Sequence, residues 1–488
     1  MQAARTIISV CLISMVAITA ATRGISTAHA GPANVALRLH PDNPRYFQFR
    51  GEPAVLITSG EHYGAVINLD FDYLAYLDEL ARYGFNHTRL FSGTYREIPG
   101  SFGIQGNTLA PAPQRYAAPW ARSATPGYFD GGNKFDLIEW NDAYFQRLRG
   151  FVEQAGRRDI VVEVTLFCTM YGEELWKASP MHAANNVNGI GNVGRHEVYG
   201  LKEAALTQAQ VAVTQKIVRE LNPFDNVYYE ICNEPYERGG MHPDWQGRMI
   251  AAIRETEKSL SNQHLISLNI AHGSAKIAEP HPDVSIYNFH AATPEAVTLN
   301  YGLRRAIGDN ETGGSHRDDA TYRIQGWEFI LAGGALFSHL DFSFATNHPR
   351  GTLLDHRGPG GGGPALRQQL HVLKKFIHSF EFLKMEPDNS VITGGVPEEG
   401  WAWALVEPGR AYAIYLVGSG PAELSLELPE GAYRAEWIDP LDGAVGKTEE
   451  FTHRGGPRRL ESPDFVQDIA LRITATSHVR SGQGGKTK

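Results

Sequence analysis

Eight short apolar segments alternating with amphipathic helical ones predict an α/β fold, a (β/α)8 TIM barrel, and a later switch to period-two alternation adds a small all-β sandwich domain. A third observation agrees: polar residues punctuate nearly every predicted strand end, and barrel enzymes keep their chemistry at the carboxyl ends of their strands. The chain has 488 residues, 42% of them hydrophobic, enough for a barrel of about 250 residues and a second domain. A doubly wound open sheet is the competing architecture. No glycine fingerprint opens the first strand–helix turn, which disfavours it. The net charge of −9 argues against a nucleic-acid partner, which calls for a basic face.

Residues 1–30 read as an export signal. Arg5 is the positive start, Ile7 to Ala20 is an apolar run too short for a comfortable membrane span, and Ala28-His29-Ala30 is a small-x-small cleavage pattern. A membrane anchor is the competing reading of this run. No later segment is apolar enough to cross a bilayer, so a secreted or periplasmic location without a membrane span is expected. Cys11 leaves with the signal. Cys168 and Cys232 each stand near a strand end and are expected as buried free thiols, although an exported protein allows a disulfide.

The barrel is expected over residues 31–386. His40 to Val55 reads as a hairpin around Arg50-Gly51, suited to plugging the barrel's bottom, and Ala54 to Ser59 as strand one. Asp70 to Tyr83 is a helix stopped by Gly84. Strand two is Phe85 to Phe91, followed by a long irregular stretch, Gly93 to Trp140, rich in rings, glycines and prolines. Loops this long are uncommon unless functional. Helix two carries Tyr144, Leu148, Phe151, Val152 and Ala155 on one stripe. Strand three is Ile160 to Phe167, with another long loop, Tyr171 to Gly200, behind it. Helix three (Thr207 to Leu221) leads to strand four, Val227 to Cys232, which Pro235 must end. Helix four runs near Trp245 to Leu260. Strands five to eight are Leu265 to Ile270, Val284 to His290, Ala306 to Asp309 and Ala335 to Phe342. Asp319 is expected to cap the helix before strand eight. A last helix carries Leu366, Leu370, Leu373, Ile377 and Phe380 on one face. The sandwich is expected over 387–476, where Tyr412/Ile414/Leu416 and Leu424/Leu426/Leu428 alternate with polar neighbours and Pro408-Gly409 and Asp442-Gly443 mark turns. Residues 477–488 read as a disordered tail.

Two carboxylates stand in matching contexts: Glu234 in Asn233-Glu234-Pro235 after strand four, and Glu311 in Asp309-Asn310-Glu311-Thr312-Gly313 after strand seven. Strands four and seven face each other across the mouth of an eight-stranded barrel, so the two acids can flank one bond. Glycoside hydrolysis needs such a pair, one acid for the leaving oxygen and one carboxylate opposite it. About 5–5.5 Å between them gives retention and about 6.5–9.5 Å gives inversion. Ionised Glu311 would raise the pKa of Glu234 and keep it protonated until the glycosyl ester forms. Asp309 shares a predicted strand face with Glu311 and is the alternative nucleophile.

With Gly84-Phe85-Asn86-His87-Thr88-Arg89, Asn233-Glu234-Pro235, Asn288-Phe289-His290 and Glu311-Thr312-Gly313 in this order, the sequence resembles the clan A retaining glycoside hydrolases, the cellulase-like barrels, over roughly residues 40 to 383. The resemblance implies Glu234 as acid/base and Glu311 as nucleophile. It implies that Asn233 holds the sugar 2-hydroxyl, that Arg89 tethers the nucleophile and that His290 bonds near the pair, with Asn288 beside it. The barrel-plus-sandwich order and Trp437-Ile438-Asp439-Pro440-Leu441-Asp442-Gly443 also resemble an apiosidase-like subgroup. Many clan members place a tryptophan at the end of strand eight; here Asp341 or His339 stands near that point. Asp341 and, after strand one, His62 are further candidates for sugar contact. An oligo- or polysaccharide is the expected partner, with no cofactor and no metal. Two other readings stand beside this one: a non-catalytic carbohydrate-binding protein on a barrel scaffold, and a metal-dependent barrel hydrolase. The second usually shows His-x-His after strand one, where this chain has Glu61-His62-Tyr63.

Overall fold

The computed structural model describes residues 35–236 and 241–476; the expected export signal and the expected disordered tail lie outside the described residues. Eight parallel strands make the barrel: β1 (Leu56–Gly60), β2 (His87–Phe91), β3 (Val161–Cys168), β4 (Val227–Asn233), β5 (Ile266–His272), β6 (Ile286–His290), β7 (Ala306–Thr312) and β8 (Leu336–Leu340). Each pairs with its sequence neighbour from β2 to β8, and β8 returns to β1. Nearly every strand residue is buried, which is why these segments read as continuous apolar runs. Between β1 and β2 a side chain replaces the ladder. Asn86 accepts from Ile57 N at 2.9 Å and donates from Nδ2 to Val55 O at 2.9 Å.

The covering helices are α1 (Tyr73–Arg82), α2 (Asp142–Gly156), α3 (Ala204–Leu221), α4 (Pro243–Glu257), α5 (Pro294–Thr298), α6 (Asp319–Leu331) and α7 (Pro364–Ile377). The β5–β6 crossover, residues 273–285, contains no helix. Asp318, one residue before the expected cap, accepts from Thr321 N at 2.9 Å and starts α6. The N-terminal hairpin turns at Arg50-Gly51, both at positive φ. Arg50 reaches Asp225, just before β4, at 2.8 Å, and Gly156 O, before β3, at 2.8 Å. The hairpin therefore seals the amino end of the barrel, opposite the site.

The stretch expected to be irregular, Gly93 to Trp140, contains a two-stranded hairpin, Trp120–Pro126 with Asn133–Trp140. Its register slips twice, so no two-residue alternation is left to read. Arg122 holds it together, donating to Asn133 O at 2.9 Å while its guanidinium lies over the Tyr128 and Phe135 rings.

The C-terminal strands are β9 (Glu386–Pro387), β10 (Ile392–Gly394), β11 (Trp401–Glu407), β12 (Ala411–Ser419), β13 (Glu423–Ile438), β14 (Val445–Glu461) and β15 (Val466–Ala475). They form an antiparallel sheet in the order β9-β11-β12-β15-β13-β10, with β14 on β13. The long β13 pairs with β15 through its second half and with β10 through its first. The sheet thus folds over a core of its own, containing Tyr412, Ile414, Leu416, Leu424, Leu426 and Leu428. The alternate residues of β12, Ala413, Tyr415 and Val417, pack into the barrel's core. Trp437 is interior, whereas Trp401 is 46% exposed and bonds Glu328 of α6.

The two parts share a packed face. Trp327 of α6 stacks on Tyr415 with centroids 5.1 Å apart, and buried Arg323 reaches Asp468 of β15 at 2.7 Å. Trp327 is fully buried. Trp327→Ala should therefore destabilise the protein by about 3–5 kcal/mol, read as a lower denaturation midpoint. A loss below about 0.5 kcal/mol, the scale of surface changes, would show that the second domain does not depend on this contact.

Candidate active site

Both glutamates sit where the backbone leaves regular strand geometry. Glu234 follows β4 in a left-handed conformation, φ +48°, which a residue with a Cβ adopts only where its surroundings hold it. Its N–H donates to Asn269 Oδ1 at 3.0 Å, and its carbonyl accepts from Thr169 Oγ1 at 2.6 Å. On β7 the pairing with β6 slips between Phe289/His290 and Asp309/Glu311. The bulge leaves Asn310 pointing into the barrel, where it donates to Glu163 at 2.8 Å and Glu230 at 2.7 Å, and re-aims Glu311 at the mouth. A carboxylate oxygen of Glu234, one of Glu311 and a ring nitrogen of His290 all lie within 4.8 Å of one another.

Asp309 is removed as an alternative nucleophile. It points away from the mouth, accepts from Ala292 N at 3.1 Å, and burial raises its pKa to about 8. A neutral acid outside the pocket cannot attack there.

Arg89 comes up from β2 between the two glutamates. Its guanidinium donates to Glu311 Oε2 at 2.9 Å, to Asn233 Oδ1 at 2.7 Å and to Glu230, and lies 4.6 Å from the centroid of the Tyr63 ring. Glu230 sits in the barrel interior with Glu163. Burial lifts the Glu230 pKa to about 7 against the pull of Arg89. Arg89 thus fixes the Glu311 carboxylate from below and anchors it to a buried polar network.

The proton is not where the sequence argument put it. Burial pushes the Glu234 pKa up, but the His290 hydrogen bond (Nδ1 to Oε1, 3.1 Å), the Tyr171 hydroxyl and Arg89 outweigh it and hold the carboxyl at about 2. Burial opposes charge on His290, yet Glu311 and Glu234 raise its pKa above the ordinary value. In the free protein the pair therefore carries one proton on the imidazole, one hydrogen bond from Glu234, and the charges of Glu311 and Glu234 hold it there. An expected result follows from the sign of both shifts. The pair keeps its proton until pH passes the raised value of His290, above the usual 6.5. His290→Asn leaves Glu234 to hold the proton alone, so the alkaline limb of kcat/KM should move to lower pH. An unmoved limb would exclude His290 as the proton's store.

The pocket above the pair has a volume of about 310 Å³. Asn233, Glu234, Glu311 and His62 line it, as do Glu97, Tyr63, Phe91, Phe102, Tyr171 and Phe342. His62 Nε2 lies 3.1 Å from Glu97 Oε1. Two expected contacts are not there. Asn288 is fully buried beneath the site and donates to Glu163 at 3.2 Å and Glu230 at 3.1 Å. Asp341 is buried in an ion pair with Arg367 at 2.6 Å and accepts from Ser59 and Ser343. Asn288 turns away to donate to two buried carboxylates, and Asp341 to accept from a buried guanidinium. His290 is 3% exposed and works through the two glutamates.

Tyr171 and Glu97 are the functional candidates sequence reasoning missed. Tyr171 bonds Glu234 and receives Asn233 Nδ2 at 2.8 Å. Its position three residues beyond β3 was the available signal; nothing distinguished Glu97 within its long loop. Phe342 supplies the ring at the end of strand eight, next to the expected Asp341. Cys168 and Cys232 are free and buried.

Glu234, His290 and Glu311 could in principle ligate a cation. Glu234 is engaged by His290 and Tyr171, and Glu311 Oε2 by Arg89, whose guanidinium 2.9 Å away would repel a divalent ion.

Comparison with family models and with curated proteins finds no match. Solved structures do share the fold. A candidate glycoside hydrolase from Bacteroides vulgatus ATCC 8482 is 15% identical with a TM-score of 0.63, over 92% of this chain and 84% of that one. A family 5 glycoside hydrolase from the same organism is 14% identical with a TM-score of 0.61, over 90% of this chain and 93% of that one. A third, a glycoside hydrolase, is 15% identical with a TM-score of 0.61, over 91% and 97%. The likeness spans barrel and C-terminal domain together, and it is a likeness of fold.

Proposed function

We propose that this chain is a retaining glycoside hydrolase acting on an oligo- or polysaccharide, with Glu311 as nucleophile and Glu234 as acid/base. The observation that carries the reading is the separation of the pair: their oxygens approach within 4.8 Å. So close an approach of one oxygen from each supports direct attack, for which carboxyl groups stand about 5–5.5 Å apart, over the wider separation of roughly 6.5–9.5 Å of inversion. Glu311, held by Arg89, attacks the anomeric carbon as the leaving oxygen departs. Glu234 relays to that oxygen the proton it takes from His290 across their 3.1 Å bond, which leaves a neutral imidazole and an ionised Glu234. Forming the ester removes the charge of Glu311, one of the two carboxylate influences that held the imidazole's proton. Glu234, again a carboxylate, then takes a proton from the incoming water, and Glu311 leaves as the ester breaks. Asn233 and Tyr171 hold the acid side of the pocket. The N-terminal sequence supports action outside the cytoplasm.

A mechanism-based 2-deoxy-2-fluoro glycosyl fluoride tests this. The slowed second step should trap the sugar as an ester, and peptide mass mapping should find it on Glu311. Turnover with inversion, or a label on another residue, would refute the assignment.

A further inference from the structure

The rim of the barrel is uneven. After β8, β2 and β3 the chain makes its long excursions, residues 341–363, 92–141 and 169–203, with shorter ones after β1 (61–72) and β5 (273–285). After β6 and β7 the links shrink to residues 291–293 and 313–318. Among the described residues, most of the pocket wall beyond the two glutamates comes from the excursions after β8, β1, β2 and β3.

That side is closed by a strap. The β2 excursion supplies Glu97, Phe102, Ile104 and Leu109 to the pocket, then locks onto the β8 excursion. Gln105 N donates to Arg357 O at 2.8 Å, and Arg357 N returns to Gln105 Oε1 at 3.1 Å. Thr346 N donates to Gly106 O at 2.9 Å. Gly106 has φ +62°, and a Cβ there would lie 2.6 Å from that of Ala345, so the two excursions touch without a gap. Buried Glu61 ties the strap's root to the β1 excursion, accepting from Thr108 Oγ1 at 2.5 Å and Ala65 N at 3.0 Å.

The chemistry orients a substrate in this enclosure. A proton donor must stand beside the leaving oxygen, so the leaving group lies on the Glu234 side. The ring under attack sits over Glu311, towards His62, Glu97 and Phe342. That direction ends at the strap. A volume of about 310 Å³ is at the small end of the roughly 300–1,000 Å³ of ligand pockets. Glu97, Glu234 and Glu311 face the same space, and among the described residues no lysine or arginine lines it. Arg89, His290 and His62 beside that space are already engaged by Glu311, Glu234 and Glu97, so a carboxylate on the ring would find no free cation there among the described residues and would be poorly screened.

Resting on the glycosidase reading above, we infer that the protein is exo-acting: it removes one uncharged sugar at a time from the non-reducing end of its substrate. The strap blocks any further residue on that side, and the acidic lining rejects a terminal uronic acid.

The test uses the full chain and a panel of reducing-end-labelled gluco-, galacto-, manno- and xylo-oligosaccharides in both anomeric series. Each is offered free, benzylated at O4 of the non-reducing terminal ring, and, for the hexoses, as the terminal uronide. The expected result is release of free monosaccharide only, with labelled chains shortening one residue at a time. The benzylated and uronide forms of the cleaved substrate should lose at least 100-fold in rate. Cleavage of the benzylated form at the free rate, or early release of internal fragments, overturns exo action and leaves the glycosidase reading standing. Release of the uronide at the free rate overturns the charge exclusion. Failure to cleave any member overturns the glycosidase reading, and exo action falls with it.

Discussion

Glu311→Ala should lower kcat/KM by about 10⁴- to 10⁶-fold, the range seen when a covalent nucleophile is removed. No neighbour can substitute. Asp309 is neutral and turned away, and Glu230 lies below, bound to Arg89 and Asn310. The fold should survive, since Arg89 keeps Glu230 and Asn233 as partners. Azide supplies a separate check. It should enter the space left beneath the anomeric carbon, restore turnover of activated aryl glycosides and give a glycosyl azide of inverted configuration. A variant within tenfold of wild type would exclude Glu311, and a retained azide product would place the nucleophile elsewhere.

Glu234→Ala should cost about 10²- to 10⁴-fold, the usual worth of a general acid or base, and the cost should depend on the leaving group. A sugar alkoxide needs protonation, so oligosaccharide cleavage falls by the full amount. A dinitrophenolate needs none, so its first step stays near wild type and the ester accumulates, visible as a burst with low KM. Azide then attacks the ester without a general base and yields a product of retained configuration, opposite to the Glu311 variant. His290 and Tyr171, left without their acceptor, cannot take over: the imidazole bonds from within a 3% exposed position. Equal losses on activated and unactivated substrates would remove Glu234 from the acid role.

The barrel was legible because its strands are buried on both faces and its helices carry single apolar stripes. Burial selects residue type at each position, and Val227 to Cys232 or the Leu366-to-Phe380 stripe records that choice in a local pattern. In the C-terminal domain the alternation at Tyr412/Ile414/Leu416 and Leu424/Leu426/Leu428 was legible, whereas β14, mostly exposed, left no apolar period to read. The hairpin inside Gly93 to Trp140 was not, since Arg122 and its rings hold it in place of a regular ladder.

At the site the division runs between residue identity and aim. Residue order alone supplied Asn233-Glu234-Pro235 and Glu311, and the opposition of strands four and seven across a closed ring. Side-chain direction came only with the folded chain. A left-handed turn at Glu234 and a bulge before Glu311 break the two-residue alternation on which face assignments depend. The same contacts send Asn288 and Asp341 into the interior and bring Tyr171 and Glu97, distant in sequence, to the pocket. The proton's place on His290 is likewise a tertiary outcome, because a pKa is set by distances to charges and by depth of burial, and neither quantity exists along an unfolded chain.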